Sequence, residues 1–449
     1  MSGCARLRHL EKGILIMSVI EPISAGKIIP DKVVIFSDTS WALGGAEMMA
    51  LLSAEVMADA GIPVVFVVGD TGEKCPLDRS RIEVVALGGA PLLERAWREA
   101  GVDGLYNKKA YKMISKFIAE RDTPSTIYHL HNWSQIFSPA IFDALKPVAS
   151  RLFISAHDFS LSCPNLSYSN FQKQGEACQL KPLSVACITT HCDRRSYSHK
   201  LWRVLRSMAV NKAINFHTTP ALVGIIHPFM IEWYERSGIP KDRIRVVRNP
   251  VNPFSKTRIA AEDNKDVFFI GRLVHEKGPD LAAEAARIAG RRIRIIGDGA
   301  LRQDMETKYP EAVFEGWRNH AQIGELLKEA RAVIVPSRLP ETFTLVAHEA
   351  MRSGIPVIAF SDVDGVEMAE LGGAIVVPPR EASSLGEALK RLDDDAVVRE
   401  MSEIAFREGW RFSNTNATWR DTLLGYYGEL MQTAGVEAPE VASLTSTRQ

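Results

Sequence analysis

Runs of four to six apolar residues, each followed by a helix-length segment, recur in two successive series, and few folds accept such a pattern. The first series holds VVIFS at 33–37, VVFVV at 64–68, IEVVAL at 82–87, TIYHL at 126–130 and LFISA at 152–156, with helices over about 45–60 and 105–120. It resumes after residue 213 with NFHTTP, a helix near 222–236 and IRVVRNPVNPF at 244–254, whose prolines around an asparagine read as an interdomain linker. The second series is VFFIG at 267–271, RIRIIG at 292–297, AVFEG at 312–316, AVIVPS at 332–337, IPVIAF at 355–360 and AIVVPP at 374–379. Alternation of this kind predicts parallel sheets covered by helices on both faces, and hence an α/β chain of two tandem Rossmann-like, doubly wound domains. Such sheets bind ligands beyond the carboxyl ends of their strands, so facing domains would share one cleft. The expected division is a leader over 1–30, a first domain over 31–247, a second over 248–415, and a terminal helix with a loose tail over 416–449, the helix packing back on the first domain.

At 449 residues the chain is too long for one ordinary domain. Its 54 basic and 54 acidic residues cancel, so no overall field points to nucleic acid. No apolar run has the length needed to span a bilayer. The leader has a basic start and the short patch GILIMSVI without a small-residue cleavage site, which reads as a ragged N-terminus. Six cysteines in so large a chain suggest a reducing, cytoplasmic setting.

Chemistry concentrates at the strand ends of the second series. FFIGRLVHEKG places Gly271, Arg272 and Lys277 in a turn before a helix, where backbone N–H groups and two cations would suit a diphosphate. RIIGDG adds Gly297 and Gly299, which let the backbone approach a ligand closely. In SRLPETFTLVAHEAMRSGIPV, Glu341 precedes a helix that contains Glu349. If that helix starts near Glu341, the two carboxylates share roughly one face about 12 Å apart, a spacing for the two ends of one elongated ligand. Sugar hydroxyls at one carboxylate and a ribose at the other would satisfy both.

GRLVHEKG, IIGDG, VFEGW and PSRLPETFTLVAHEAMRSGIPVIA, in this order over about 267–380, resemble the donor half of the family-4 retaining glycosyltransferases. The resemblance implies the GT-B fold, transfer of a sugar from a nucleotide-sugar donor, and front-face substitution in which the departing phosphate takes the acceptor's proton. It also implies that Arg272 and Lys277 hold the diphosphate, Glu341 the transferred sugar and Glu349 the ribose, with amides around Phe343, Thr344 and Leu345 capping a phosphate. Thr342 and Thr344 stand where the family commonly has glycine, and Thr344 would crowd that phosphate. More weakly, Gly44 and Gly45 in the first domain resemble the family's loop over sugar and acceptor. HLHNWS and SAHDFSLSCPN resemble its acceptor-side segments, which nominates His157 for the reaction and His129, His131 and Asp158 for the acceptor side. The acceptor would be a glycan or lipid-linked glycan, in cell-surface polysaccharide or lipopolysaccharide synthesis. Rival readings are a GT-B epimerase or hydrolase acting on nucleotide sugars, and a non-catalytic sugar-nucleotide-binding subunit.

No cofactor or catalytic metal is expected. Asp362 and Asp364 form an Asp-x-Asp pair that reads as a turn. Cys163, Cys178, Cys187 and Cys192 lack the two close pairs of a strong zinc signature, so reduced thiols packing the irregular segment 158–193 are preferred to a structural zinc. Residues 194–212 carry six Lys and Arg without an acid, interleaved with Leu201, Trp202, Val204, Leu205 and Met208. Such a helix either rests on anionic lipid, making the protein peripheral at the inner face of the membrane, or turns its apolar stripe to the core.

Overall fold

The computed structural model describes residues 29–436 apart from Leu43, Gln174, Pro340, 362–365 and Pro379, and the side chain of Val366. The leader up to residue 28, the Asp362 and Asp364 turn and the tail from 437 lie outside the described residues.

Seven parallel strands form the first sheet: β1 (Lys32–Ser37), β2 (Val64–Val68), β3 (Ile82–Ala86), β4 (Thr126–Leu130), β5 (Leu152–Ala156), β6 (Leu222–Ile225) and β7 (Ile244–Val246), in the order β3-β2-β1-β4-β5-β6-β7. A second sheet of six parallel strands holds β8 (Asp266–Ile270), β9 (Ile293–Ile296), β10 (Val313–Gly316), β11 (Ala330–Val335), β12 (Val357–Phe360) and β13 (Ala374–Val377), ordered β10-β9-β8-β11-β12-β13. In each sheet the order reverses beside the first strand, opening a crevice at β1/β4 and another at β8/β11, the position at which doubly wound sheets bind ligands. Continuous apolar strands such as VVFVV are buried on both faces, as helix-covered parallel sheets require.

Two expectations need correction. Residues 222–225 are a strand and not the start of a helix, which spans Met230–Ser237. The reason is packing: a Cβ on Gly224 would lie 2.5 Å from the Phe153 ring of the neighbouring strand. NFHTTP is a turn, tied by Thr219 N–H to the Asn215 carbonyl at 2.7 Å.

Helix α1 (Gly45–Asp59) follows β1, and α2 (Trp97–Leu105) and α3 (Tyr197–Ala213) flank the first domain. In the second domain, α4 (Pro279–Ile288) follows β8 and α5 (Leu345–Arg352) follows β11. The last helix, α6 (Asn416–Thr433), returns to the first domain and buries Trp419, Leu423, Tyr427 and Met431 in the core containing β1 and β2.

Candidate functional site

The two crevices meet across a cleft. Thr342 Oγ1 donates to the His157 carbonyl at 2.9 Å, and Phe343 packs against the core of the first domain. The irregular segment after β5 also crosses: Arg194 pairs with Glu276, and the Gly175 carbonyl accepts from Arg380 at 3.3 Å.

On the second-domain side, the backbone is shaped by glycines that nothing larger can replace. Gly297 has φ 138°, and a Cβ there would stand 2.0 Å from the Gly271 carbonyl oxygen. Gly278, at φ 66° before α4, would drive a Cβ to 2.2 Å from the Pro336 carbonyl oxygen. These contacts lock the β8 and β9 turns and the β11 end together, and Lys277 on the β8 turn reaches Glu341 in the turn before α5. Arg272 is exposed, with no ion pair among the described residues. Lys277 Nζ lies 2.9 Å from Glu341 Oε1. Glu341 also accepts from Ser337 Oγ, and from Thr344 Oγ1 at 3.3 Å, so its carboxylate is held by three groups.

Helix α5 begins at Leu345, four residues after Glu341, so the two carboxylates are not on one helical face. Thr342 and Thr344 are β-branched, and Thr342 spends its hydroxyl across the cleft, so the turn extends to Thr344 before the helix begins. Thr344 is the N-cap at φ −96°, a conformation that needs no glycine, and its hydroxyl turns to Glu341 instead of capping the helix. The first-turn N–H groups of α5 therefore lack a side-chain cap. Phe343 stacks on His348 with centroids 4.3 Å apart, which fixes the turn.

Glu349 sits one turn further along α5, 3.2 Å from His320 Nε2. His320 also reaches the Asn252 carbonyl and stacks on Phe254. Burial lifts the Glu349 carboxyl above its usual range, and the hydrogen bond that His320 donates to Glu349 lifts His320 above its own. A raised histidine pKa adds stability that is complete below the unfolded value near 6.5 and is lost as pH rises through the folded value. His320→Gln is thus expected to lower the melting temperature more at pH 6 than at pH 9. An equal loss at both pH values would contradict the charged pair.

On the first-domain side, His157 directly follows β5 and its Nε2 lies 3.0 Å from His131 Nδ1, whose Nε2 in turn meets Ser53 Oγ at 2.9 Å. Burial pulls His157 down to about 4, so it works as a neutral imidazole. His131 lies behind it. His129 is corrected: it is fully buried, bonded to Ser155 Oγ at 2.8 Å and to Tyr427 OH at 2.7 Å, and belongs to the core. Residues two apart in a strand point to the same face, which is why His129 and His131 stack 4.0 Å apart rather than facing opposite ways. Asp158 is exposed at the strand end. Gly44 and Gly45 are exposed at the start of α1, with no side chain capping it.

Sequence reasoning missed Asp38, Ser337 and His320. Asp38 is a buried carboxylate after β1 whose oxygens accept from the N–H groups of Gln135, Ile136 and Phe137 at 2.6–2.9 Å, so it shapes the loop after β4. An acid directly after the first strand, beside the crevice, was the available signal. Cys163, Cys187 and Cys192 are buried around Lys200, whose Nζ lies 3.2 Å from Cys192 Sγ. No group of three or more His, Cys, Asp or Glu able to hold a metal occurs among the described residues.

The sequence model described as "Glycosyl transferases group 1" matches residues 264–395, the part that carries Arg272, Lys277, Glu341 and Glu349. Residues 264–395 are a group 1 glycosyltransferase domain. Alpha-D-kanosaminyltransferase of Streptomyces kanamyceticus is 32% identical over 158 residues, which are 32% of this chain and 40% of that protein. The GDP-mannose-dependent alpha-mannosyltransferase of Mycobacterium tuberculosis is 34% identical over 188 residues, 39% of this chain and 46% of the relative. The chain spans less than half the length of either relative. Among solved structures, Anabaena HepE in complex with UDP superposes with a TM-score of 0.63 at 18% identity, over 89% of this chain and 100% of that one. Sucrose-phosphate synthase from Thermosynechococcus elongatus gives 0.64 at 19% identity, over 89% and 99%. At such identity the likeness concerns the fold, which is GT-B. The matched residues 264–395 lie in the second domain and include α5, whose preceding turn crosses to His157.

Proposed function

We propose that this chain is a family-4 retaining glycosyltransferase that moves a sugar from a nucleotide-sugar donor to a glycan or lipid-linked glycan acceptor, without a metal, in cell-surface polysaccharide or lipopolysaccharide synthesis. The observation that carries this reading is the Lys277 and Glu341 pair beside the uncapped start of α5, with the adjoining Thr342 fastened to His157 of the opposite domain. HepE has been crystallised with UDP and with UDP-glucose, which supports a nucleotide-sugar donor here.

In this reading the donor diphosphate lies at Arg272, Lys277 and the first-turn amides of α5 around Phe343, Thr344 and Leu345, where cations and the helix start stabilise the leaving charge. The Gly297 turn lets the donor approach the backbone. Glu341 receives hydroxyls of the transferred sugar, displacing Lys277 toward the phosphate, and Glu349 receives the ribose. His157 offers a neutral hydrogen bond to sugar or acceptor, with His131 orienting its ring. The anomeric carbon–oxygen bond to the diphosphate breaks, the acceptor oxygen bonds to that carbon on the same face, and the acceptor proton passes to the departing phosphate. Gly44 and Gly45 at the open start of α1, with Asp158, border the acceptor.

Among the described residues no helix is long and apolar enough to cross a membrane. Contact through residues 194–212 at the inner face of the membrane would bring the site to a lipid-linked acceptor.

The test is to screen UDP- and GDP-sugars for binding and then for transfer to glycan and lipid-linked acceptors. Complete donor conversion without any acceptor would replace the transferase by an epimerase or hydrolase, and binding without turnover on any acceptor would leave a binding subunit. Glu349→Ala is expected to weaken free-nucleotide binding about tenfold, the scale of a charged hydrogen bond. Calorimetric titration with UDP and GDP checks it, and unchanged affinity would remove Glu349 from the ribose site.

A further inference from the structure

Helix α3 buries two cations beside Val204 and Val210 while leaving an apolar stripe outside. Its cations Lys200 and Arg206 are 1% and 8% exposed, whereas Leu205 is 55% exposed and Leu201 and Met208, on the same stripe, also face outward. Across from it, α2 and the turn before it expose Leu93, Val102 and Trp97, the last at 78%. Between the two helices lies a chamber of about 1090 Å³ that runs to Ser160, two residues beyond Asp158.

At the chamber wall Arg206 is sandwiched by Trp133 and Trp202, with its guanidinium carbon 5.0 and 5.5 Å from the two ring centroids. One nitrogen donates to the Ser134 carbonyl, but its buried Nε has no hydrogen-bond partner among the described residues. The carboxylate that acts on it, Asp38, is committed to three backbone amides. A buried cation without a paired anion is costly, and a guanidinium with a free N–H is suited to phosphate. Arg95, Arg98, Arg195 and Arg203 line the same chamber. Arg95 is paired with Asp103 and Arg203 with Asp193, while Arg98 and Arg195 are exposed and carry no carboxylate partner among the described residues.

We propose that this chamber binds the acceptor as a phosphate-bearing amphiphile, with the phosphate on Arg206 and the rim arginines and the apolar part against Leu93, Trp97 and Val102. This rests on the transferase reading and adds the chemical class of its acceptor. A cationic chamber with outward apolar walls fits a phosphate at the boundary between water and hydrocarbon, where amphipathic side chains also partition. Arginine rather than lysine at the buried position is consistent with directional recognition of phosphate oxygens.

The experiment measures binding of the full chain, with saturating UDP and GDP present to fill the donor site, to inorganic diphosphate and to three kinds of phosphatidylcholine vesicle: undoped, doped with a polyprenyl phosphate, and doped to the same surface charge with phosphatidylserine. Binding is expected to be tightest to the polyprenyl phosphate vesicles, weaker to diphosphate and weakest to undoped vesicles. Arg206→Gln should weaken the two phosphate probes roughly tenfold or more, and Trp97→Ser should weaken only the vesicles. If Arg206→Gln does not fold, Arg98→Gln combined with Arg195→Gln at the exposed rim should lower both affinities severalfold. Equal binding to phosphatidylserine and polyprenyl phosphate vesicles would make the face a general anionic-surface contact and overturn the proposal. Diphosphate binding without any preference for polyprenyl phosphate vesicles would indicate a soluble phosphate ligand and overturn the amphiphile. UDP and GDP binding measured on the same protein separates the two readings: nucleotide binding without lipid discrimination sinks this inference alone, and lipid discrimination without nucleotide binding sinks the transferase and with it the acceptor role.

Discussion

Lys277→Ala is expected to lower turnover by roughly 10²- to 10³-fold, the loss seen when one preorganised group facing a developing charge is removed. The lysine pairs with Glu341, which also accepts from the N-cap Thr344 of the otherwise uncapped α5, and Gly278 fixes the turn the lysine stands on. In the free protein its ammonium is paired with Glu341. In the proposed mechanism a sugar hydroxyl takes over that carboxylate and the ammonium is released for the leaving phosphate, so its larger contribution would fall in the transition state. Glu341→Gln is the companion: it keeps a hydrogen-bonding side chain next to Ser337 and Thr344 but removes the charge that holds Lys277. It should cost turnover with little change in free-nucleotide affinity, unlike Glu349→Ala. Steady-state rates with saturating donor, set beside calorimetric nucleotide affinities, decide the matter. If Lys277→Ala weakened nucleotide binding as much as it slowed transfer, the ammonium would be an ordinary ground-state contact.

The sequence exposed most of the sheet architecture because parallel strands buried on both faces must be continuously apolar, as VVFVV and AVIVP are. It failed at ALVGII, where a glycine within an apolar run leaves strand and helix undecided and only the Phe153 ring beneath Gly224 settles the matter. The second-domain motifs were readable because their glycines answer local backbone demands: Gly297 cannot carry a Cβ, whatever the ligand. Positions governed by distant partners were not readable. His129 has the same residue type and parity as His131, yet its partner is Tyr427, 298 positions along the chain. Thr344 looked obstructive from residue type alone, whereas its negative φ and its bond to Glu341 depend on how the turn folds. Arg206 was visible only as one cation in a basic helix. Its burial follows from its place on the inward face of α3, beside Val204 and Val210 and between Trp133 and Trp202, none of which its position in the sequence reveals.

Trp419→Ala is expected to destabilise the first domain by about 3–5 kcal/mol, the usual cost of truncating a large buried aromatic. Trp419 is 2% exposed near the start of α6, and the same helix inserts Leu423, Tyr427, Leu430 and Met431 into the core that contains β1 and β2. The helix follows the second domain in the chain and completes the first, so the two domains are joined both by the linker and by this returning segment. Tyr427 adds a polar anchor: its hydroxyl meets His129, whose other ring nitrogen is bonded to Ser155, leaving both imidazole nitrogens satisfied within the core. Tyr427→Phe should therefore cost about 1–3 kcal/mol, because it strands one buried nitrogen while filling the same space. The chain is large enough for its domains to melt separately, so the measurement is urea unfolding followed with probes in each domain. Both variants should shift the first-domain transition to lower urea and leave the second nearly in place. A shift confined to the second domain would mean that α6 belongs energetically to the domain it follows, despite packing on the other.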